Sequence, residues 1–231
     1  MSRIFTTLLF LFVASSTFCQ VKFSDAEVLI TTRHSWRGSK FGTAPAIEPS
    51  VTFAANKLSL NFWSSVTFDN SYSEIDITPA YQFKEFQLTL LDYYCPVVGE
   101  ENQFLNFKKG ESRHSLELTI DNYSVEKRRI KWLVGVLLLG DKNPGNDKPY
   151  YSTYTEFKYP FTVCSIDVEP LVGLTPFRGL YAEKFAMVNA GISFSKDLDL
   201  KLPFSVPLSL SFISNPNARQ SFVTFAAGIA F

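Results

Sequence analysis

The chain has 231 residues, with 22 Lys plus Arg against 22 Asp plus Glu, so its formal net charge is zero. That balance excludes the basic surplus by which nucleic-acid binders neutralise phosphates, and a 46% hydrophobic content excludes a disordered chain. Aromatic residues make up 16%, with 23 Phe and 10 Tyr against 2 Met, which favours half-buried pleated strands and an all-β fold.

The first nineteen positions read as an export signal rather than as fold. Met1, Ser2 and Arg3 give a short positive start, and residues 4–13 (IFTTLLFLFV) form an apolar stretch. Small and polar residues follow at 14–17, the pattern of a secretory signal peptide cut after Cys19. Phe18 stands where a lipoprotein signal needs a small residue, which argues against acylation of Cys19. Residues 1–19 are therefore expected to be a cleaved signal peptide, and residues 20–231 a single barrel domain. Past the signal no apolar run reaches 18 residues. The longest, 132–139 (WLVGVLLL), is too short for a transmembrane helix but close to a tilted membrane strand.

Alternation predicts twelve strands, at 26–36, 46–55, 57–68, 73–83, 86–94, 113–122, 130–139, 150–159, 162–174, 185–195, 204–213 and 220–231. In 73–83 (SEIDITPAYQF), Ile75, Ile77, Tyr81 and Phe83 share one face while Glu74, Asp76, Thr78 and Gln82 share the other. A soluble sandwich and a membrane barrel both alternate, but in opposite senses: the barrel turns apolar residues to lipid and polar ones to its lumen. Tight links are expected around Asn56, at 84–85 and at 160–161. Longer ones cover 37–45, 95–112, 140–149 and 175–184. The links at 69–72, 123–129 and 196–203 break this rule. Short turns on one side, longer loops on the other and an even strand count suit an outer-membrane barrel.

The last strand, 220–231 (QSFVTFAAGIAF), alternates back from a terminal Phe231. It looks like the C-terminal strand that the barrel-assembly machinery of the bacterial outer membrane recognises. Cys95 and Cys164 are expected at opposite rims, about 25 Å apart, too far for a disulfide and with Cys95 the accessible thiol. His34 and His114 have no partner at metal-ligand spacing, and no GxSxG, GxGxxG or phosphate-binding loop is present. No metal, cofactor or catalytic set is expected. His114 near Glu117 is the nearest approach to a general base, without a nucleophile to serve. Trp63 is expected to pack in the lumen. Trp132, Tyr81, Tyr151 and Tyr159 are expected in the interfacial aromatic belt.

Short motifs in fixed order carry a resemblance: 35–38 (SWRG), 44–47 (APAI), 62–65 (FWSS), 74–76 (EID), 92–96 (DYYCP) and 114–117 (HSLE). Over about the first half of the mature chain the sequence resembles the TorF family of small outer-membrane porins. Trp36 and Val97 depart from that pattern. The resemblance implies a porin-like barrel and brings no substrate and no catalytic residue.

Charges must avoid lipid, where Arg or Lys at mid-bilayer costs about 2–4 kcal/mol. The expected pore-lining residues are accordingly Arg33 and Arg37 on the first strand, Glu48 on the second, and Glu74 with Asp76 on the fourth. Glu117 and Asp121 follow on the sixth, and Asp167 and Glu169 on the ninth. The expectation is a transmembrane, antiparallel, up-and-down β-barrel of about twelve strands in the bacterial outer membrane. It would be no enzyme, but a narrow charged channel for small solutes or ions, with outer-membrane lipid and the assembly machinery as partners. The alternatives are a non-conducting structural or adhesion barrel and a lipid-hydrolysing enzyme.

Overall fold

Alternation in the sequence becomes a wall with two opposite faces. The computed structural model describes residues 20–97, 99–108, 112–141 and 148–231, so the expected signal peptide lies outside the described residues. The strands are β1 (Lys22–Thr31), β2 (His34–Trp36), β3 (Ser39–Phe41), β4 (Ala46–Ala55), β5 (Leu58–Thr67), β6 (Ser73–Gln82), β7 (Gln87–Tyr94) and β8 (His114–Asp121). They continue with β9 (Lys131–Leu139), β10 (Thr153–Lys158), β11 (Phe161–Val163), β12 (Ile166–Thr175), β13 (Ala186–Leu198), β14 (Val206–Asn215) and β15 (Gln220–Ala230). No described residue is helical.

All but β2 and β3 form one antiparallel sheet in which sequence neighbours pair, and β1 joins β15 to close it, with Val28 opposite Ile229. Strands β10 and β11 are two halves of one stave. Lys158 faces Leu171 and Phe161 faces Val168 in a single register, and Pro160, which lacks an N–H, breaks the ladder between them. The result is a closed barrel of twelve antiparallel strands. Closure leaves no sheet edge, which is the condition for placing strands in lipid.

The polarity of the two faces separates this barrel from a soluble one. Outward side chains such as Ile47, Phe62, Ile75, Leu90, Phe212 and Val223 are large, apolar and exposed. Inward ones such as Ser65, Thr67, Glu117, Thr119 and Thr175 are polar and buried. Bulky apolar residues covering a whole wall need a lipid environment. At the end that carries both termini, aromatic pairs ring the wall: Phe23 with Phe53, Tyr81 with Phe83, Tyr159 with Phe161 and Phe204 with Phe231. Such a girdle marks an interface, where amphipathic rings sit at headgroup level. Trp132 belongs to this end, whereas Tyr151 lies at the opposite rim.

Several strand boundaries shift from the sequence reading. The first stave ends at Thr31, not at 36, because 34–41 fold back as a separate two-stranded hairpin. The turn expected at 160–161 lies instead at Cys164 and Ser165, whose φ angles of 50° and 61° form a two-residue hairpin turn. Pro160 signals an interrupted stave rather than a turn. Strand β9 carries the apolar run 132–139 because both its faces are apolar. Its inward Leu133 packs on a cluster of Tyr154, Val188 and Ala182, and its inward Leu137 is buried.

The two cysteines are free, and their surroundings reverse the expected order of reactivity. Cys164 is exposed in its turn. Cys95, just past the end of β7, lies half-buried against the Tyr72 hydroxyl and the Glu74 carboxylate. Burial and the nearby negative charge of Glu74 push its thiol up to about 12. At neutral pH a maleimide should label Cys164 of the folded protein within minutes and Cys95 only after unfolding. Equal labelling rates, read by peptide mass spectrometry, would contradict this packing.

Candidate functional site

Among the described residues, one pair of strands crosses the lumen. Strands β2 and β3 pair only with each other, and the hairpin leaves the wall after Thr31 and rejoins it at Ala46. Arg37 and Gly38 form its tip with φ angles of 49° and 80°, the two left-handed residues of a tight hairpin turn. Gly38 is required twice over. Its φ is left-handed, and a Cβ there would stand 2.1 Å from the Val188 carbonyl oxygen on β13.

Arg37 fastens the tip. Its guanidinium donates to both oxygens of Glu117, at 2.5 and 2.9 Å, and also to the Tyr181 hydroxyl. Tyr93 donates to the same Glu117 carboxylate at 2.7 Å. The guanidinium lies 4.5 Å from the Trp36 ring centre and 4.4 Å from that of Tyr154. Glu117 is fully buried, and a Cβ at Gly135 across the ladder would come within 2.3 Å of its Oε1. A small residue in β9 therefore makes room for the ion pair.

His34 fastens the base of the hairpin. Its Nδ1 lies 2.9 Å from Glu48 and its Nε2 3.4 Å from Glu74. The imidazole stacks on Tyr72 and also meets Phe41 and Trp63. The hairpin so held separates two cavities. One of about 490 Å³ opens toward the loops and is lined by Trp36, Phe41, Tyr72, Tyr93 and Tyr181. The other, of about 320 Å³ and deeper in the bore, is lined by Glu48, Trp63, Glu74, Asp76 and Leu91. Farther along, Lys158 bridges Glu169 at 2.9 Å and Glu156 at 3.6 Å.

The expected lining residues thus divide. Glu48, Glu74, Asp76, Glu117 and Asp121 face inward from their expected strands, all buried or nearly so. Glu169 faces inward in its ion pair with Lys158, and Asp167 sits exposed near the rim, accepting a hydrogen bond from Thr162. Arg33 and Arg37 do not belong to the first strand. Arg33 follows β1 and donates to the Gly42 carbonyl at 2.5 Å, while Arg37 is the hairpin tip. Neither pairs with Glu74 or Asp76: Glu74 meets His34, and one Asp76 oxygen has no partner. Sequence reasoning missed His34 as a latch. The signal was present in the pattern His34, Trp36, Arg37-Gly38, Phe41, an alternating hairpin too short to span a bilayer. His114 lies on the opposite face of β8 from Glu117. It is held by Asp92 at 2.8 Å and by the Phe104 carbonyl at 2.8 Å, where it pins the loop after β7.

Two substitutions report on the latch. Glu117→Ala leaves the buried Arg37 charge unpaired and should destabilise the folded barrel by about 3–5 kcal/mol in urea titrations. Gly38→Ala should dislodge the tip while sparing the wall. Trp36 should then become accessible to acrylamide, with the heat-modifiable gel mobility of the folded barrel retained. Wild-type urea midpoints for Glu117→Ala would contradict the buried pair.

No family model matches the chain, and no curated protein matches it significantly. Solved structures do match. One, described by the words "Unveiling the Mechanism Behind the in-meso Crystallization of Membrane Proteins", aligns with a TM-score of 0.51 at 8% identity. The alignment covers 91% of this chain and 83% of that one. At such low identity the likeness is one of fold, a barrel shared with a chain from membrane-protein work.

Proposed function

We propose that this chain is a porin-like channel of the bacterial outer membrane, passing small solutes or ions through a bore that the β2–β3 hairpin narrows. The observation that carries the reading is the independence of that hairpin. It adds no strand to the wall and is fastened through side chains, chiefly Arg37 to Glu117 and His34 to Glu48 and Glu74. A wall that closes without the hairpin encloses a polar bore, which the hairpin then constricts. The export-signal pattern, the terminal Phe231 and the resemblance to TorF porins support the cellular setting and the assembly machinery as partner.

Charge favours cations. Glu48, Glu74 and Asp76 line the deeper cavity, with His34 and Arg33 as its basic residues. Acidic groups around a constriction attract cations and repel anions. A second reading, a non-conducting barrel, draws on the buried Arg37–Glu117 pair, which locks the hairpin tip across the lumen.

Planar-bilayer recording separates the two. The intact protein should give small, cation-preferring steps, and replacing residues 34–41 by a Gly-Ser segment of equal length should enlarge them severalfold. A folded hairpin-replaced barrel that conducts no better than bare lipid would overturn the channel and leave the non-conducting reading.

A further inference from the structure

The connection between β8 and β9 is too long for a turn at the termini end, and the channel makes no use of it. It is nonetheless firmly built. Buried Asn122 accepts a hydrogen bond from the Trp132 backbone N–H at 2.7 Å and donates its side-chain amide to the Ile130 carbonyl at 3.1 Å. Lys131 donates to the carbonyls of Tyr123 at 3.0 Å and Val125 at 2.6 Å. Successive turn hydrogen bonds, from Val125 to Asn122 and from Arg128 to Val125, order what lies between. The effect is to hold Lys127, Arg128 and Arg129 side by side in an otherwise charge-balanced chain.

These three cations rim a cleft of about 640 Å³ whose apolar side is formed by Phe86, Ile130 and Trp132. Arg128 is bridged to Glu85 at 3.0 Å across the cleft, both side chains being well exposed. Lys127 and Arg129 are exposed and form no ion pair among the described residues, so the cleft keeps a net positive charge. Trp132 is on the lipid side of the wall: its partner across the ladder, Phe157, is exposed on the outer face, whereas the adjacent Leu133 packs inward. The cleft therefore opens at the aromatic girdle, with cations at headgroup height and rings beside the acyl chains.

We propose that this cleft is a binding site for the headgroup of an anionic phospholipid, whose phosphate meets Lys127 and Arg129 while its first chain carbons lie on Trp132 and Ile130. A free phosphate would satisfy the cations and leave the apolar side unused, which is why the lipid is the occupant. Each cation near an anionic surface contributes about a fivefold preference, so the two unpaired ones together give a preference on the order of twenty-five-fold. The site requires the barrel to sit in a bilayer and does not require it to conduct.

Trp132 provides the readout, because Trp36 and Trp63 both face the lumen. The intact protein is reconstituted in phosphatidylcholine bilayers containing a small fraction of brominated phosphatidylglycerol, a quencher of nearby tryptophan. Quenching should exceed that by brominated phosphatidylcholine at equal fraction, and Trp132→Phe should remove the excess. The pair Lys127→Gln with Arg129→Gln, both exposed in a turn, should abolish the preference for the anionic lipid while the folded gel band stays. Millimolar inorganic phosphate should leave the preference intact. Equal quenching by the two lipids, or full competition by free phosphate, would overturn the assignment.

Discussion

A backbone amide in lipid has no water to turn to, so the fold must satisfy every strand edge within the chain. The pairing that meets this constraint is the one between the first and last staves, where residues 27–31 of β1 lie against 226–230 of β15. It joins segments two hundred residues apart in sequence. Once it forms, hydrophobic side chains lose their usual destination. Most Phe, Leu, Ile and Val turn outward, and the interior is left mainly to serines, threonines, tyrosines and carboxylates that bond to one another. The wall is thus fixed by hydrogen bonding, and its two faces by the solvent on each side.

An interior of polar groups is a harder place to build than an apolar core. Buried charge is tolerated only when paired, and pairing across a bore of this size needs an element that reaches into it. The β2–β3 hairpin is that element. Its tip arginine finds Glu117 on β8 and its histidine finds Glu48 on β4 and Glu74 on β6, so the same residues that anchor the hairpin neutralise the wall. Local sequence adapts to receive it. Gly38 lets the tip touch β13, Gly135 leaves room for the Glu117 carboxylate, and the inward Leu133 and Leu137 give β9 an apolar inner face. The proposed channel and its constriction are in this sense one structure: a polar bore invites a plug, and the plug's charges require the acids of the bore.

The alternating pattern by itself determined much of this. Period-two alternation set the strands and, with the Gly- and Pro-rich links between them, the up-and-down order. Parity then placed Glu74 with Asp76, and Glu117 with Asp121, on one face, because successive side chains in a strand must point to opposite sides. Tertiary structure decided the true turn at Cys164 and Ser165 and the fate of residues 32–45. Nothing local distinguishes a strand that continues into the wall from one that folds back into the lumen. His34 to Trp36 alternate as a wall strand would, and only the partners available across the bore draw them inside. Arg37 is the clearest case. Its charge showed in the sequence that it must avoid lipid, but its partner Glu117 lies eighty residues away, and an ion pair is chosen by distance in space, which only the closed barrel supplies.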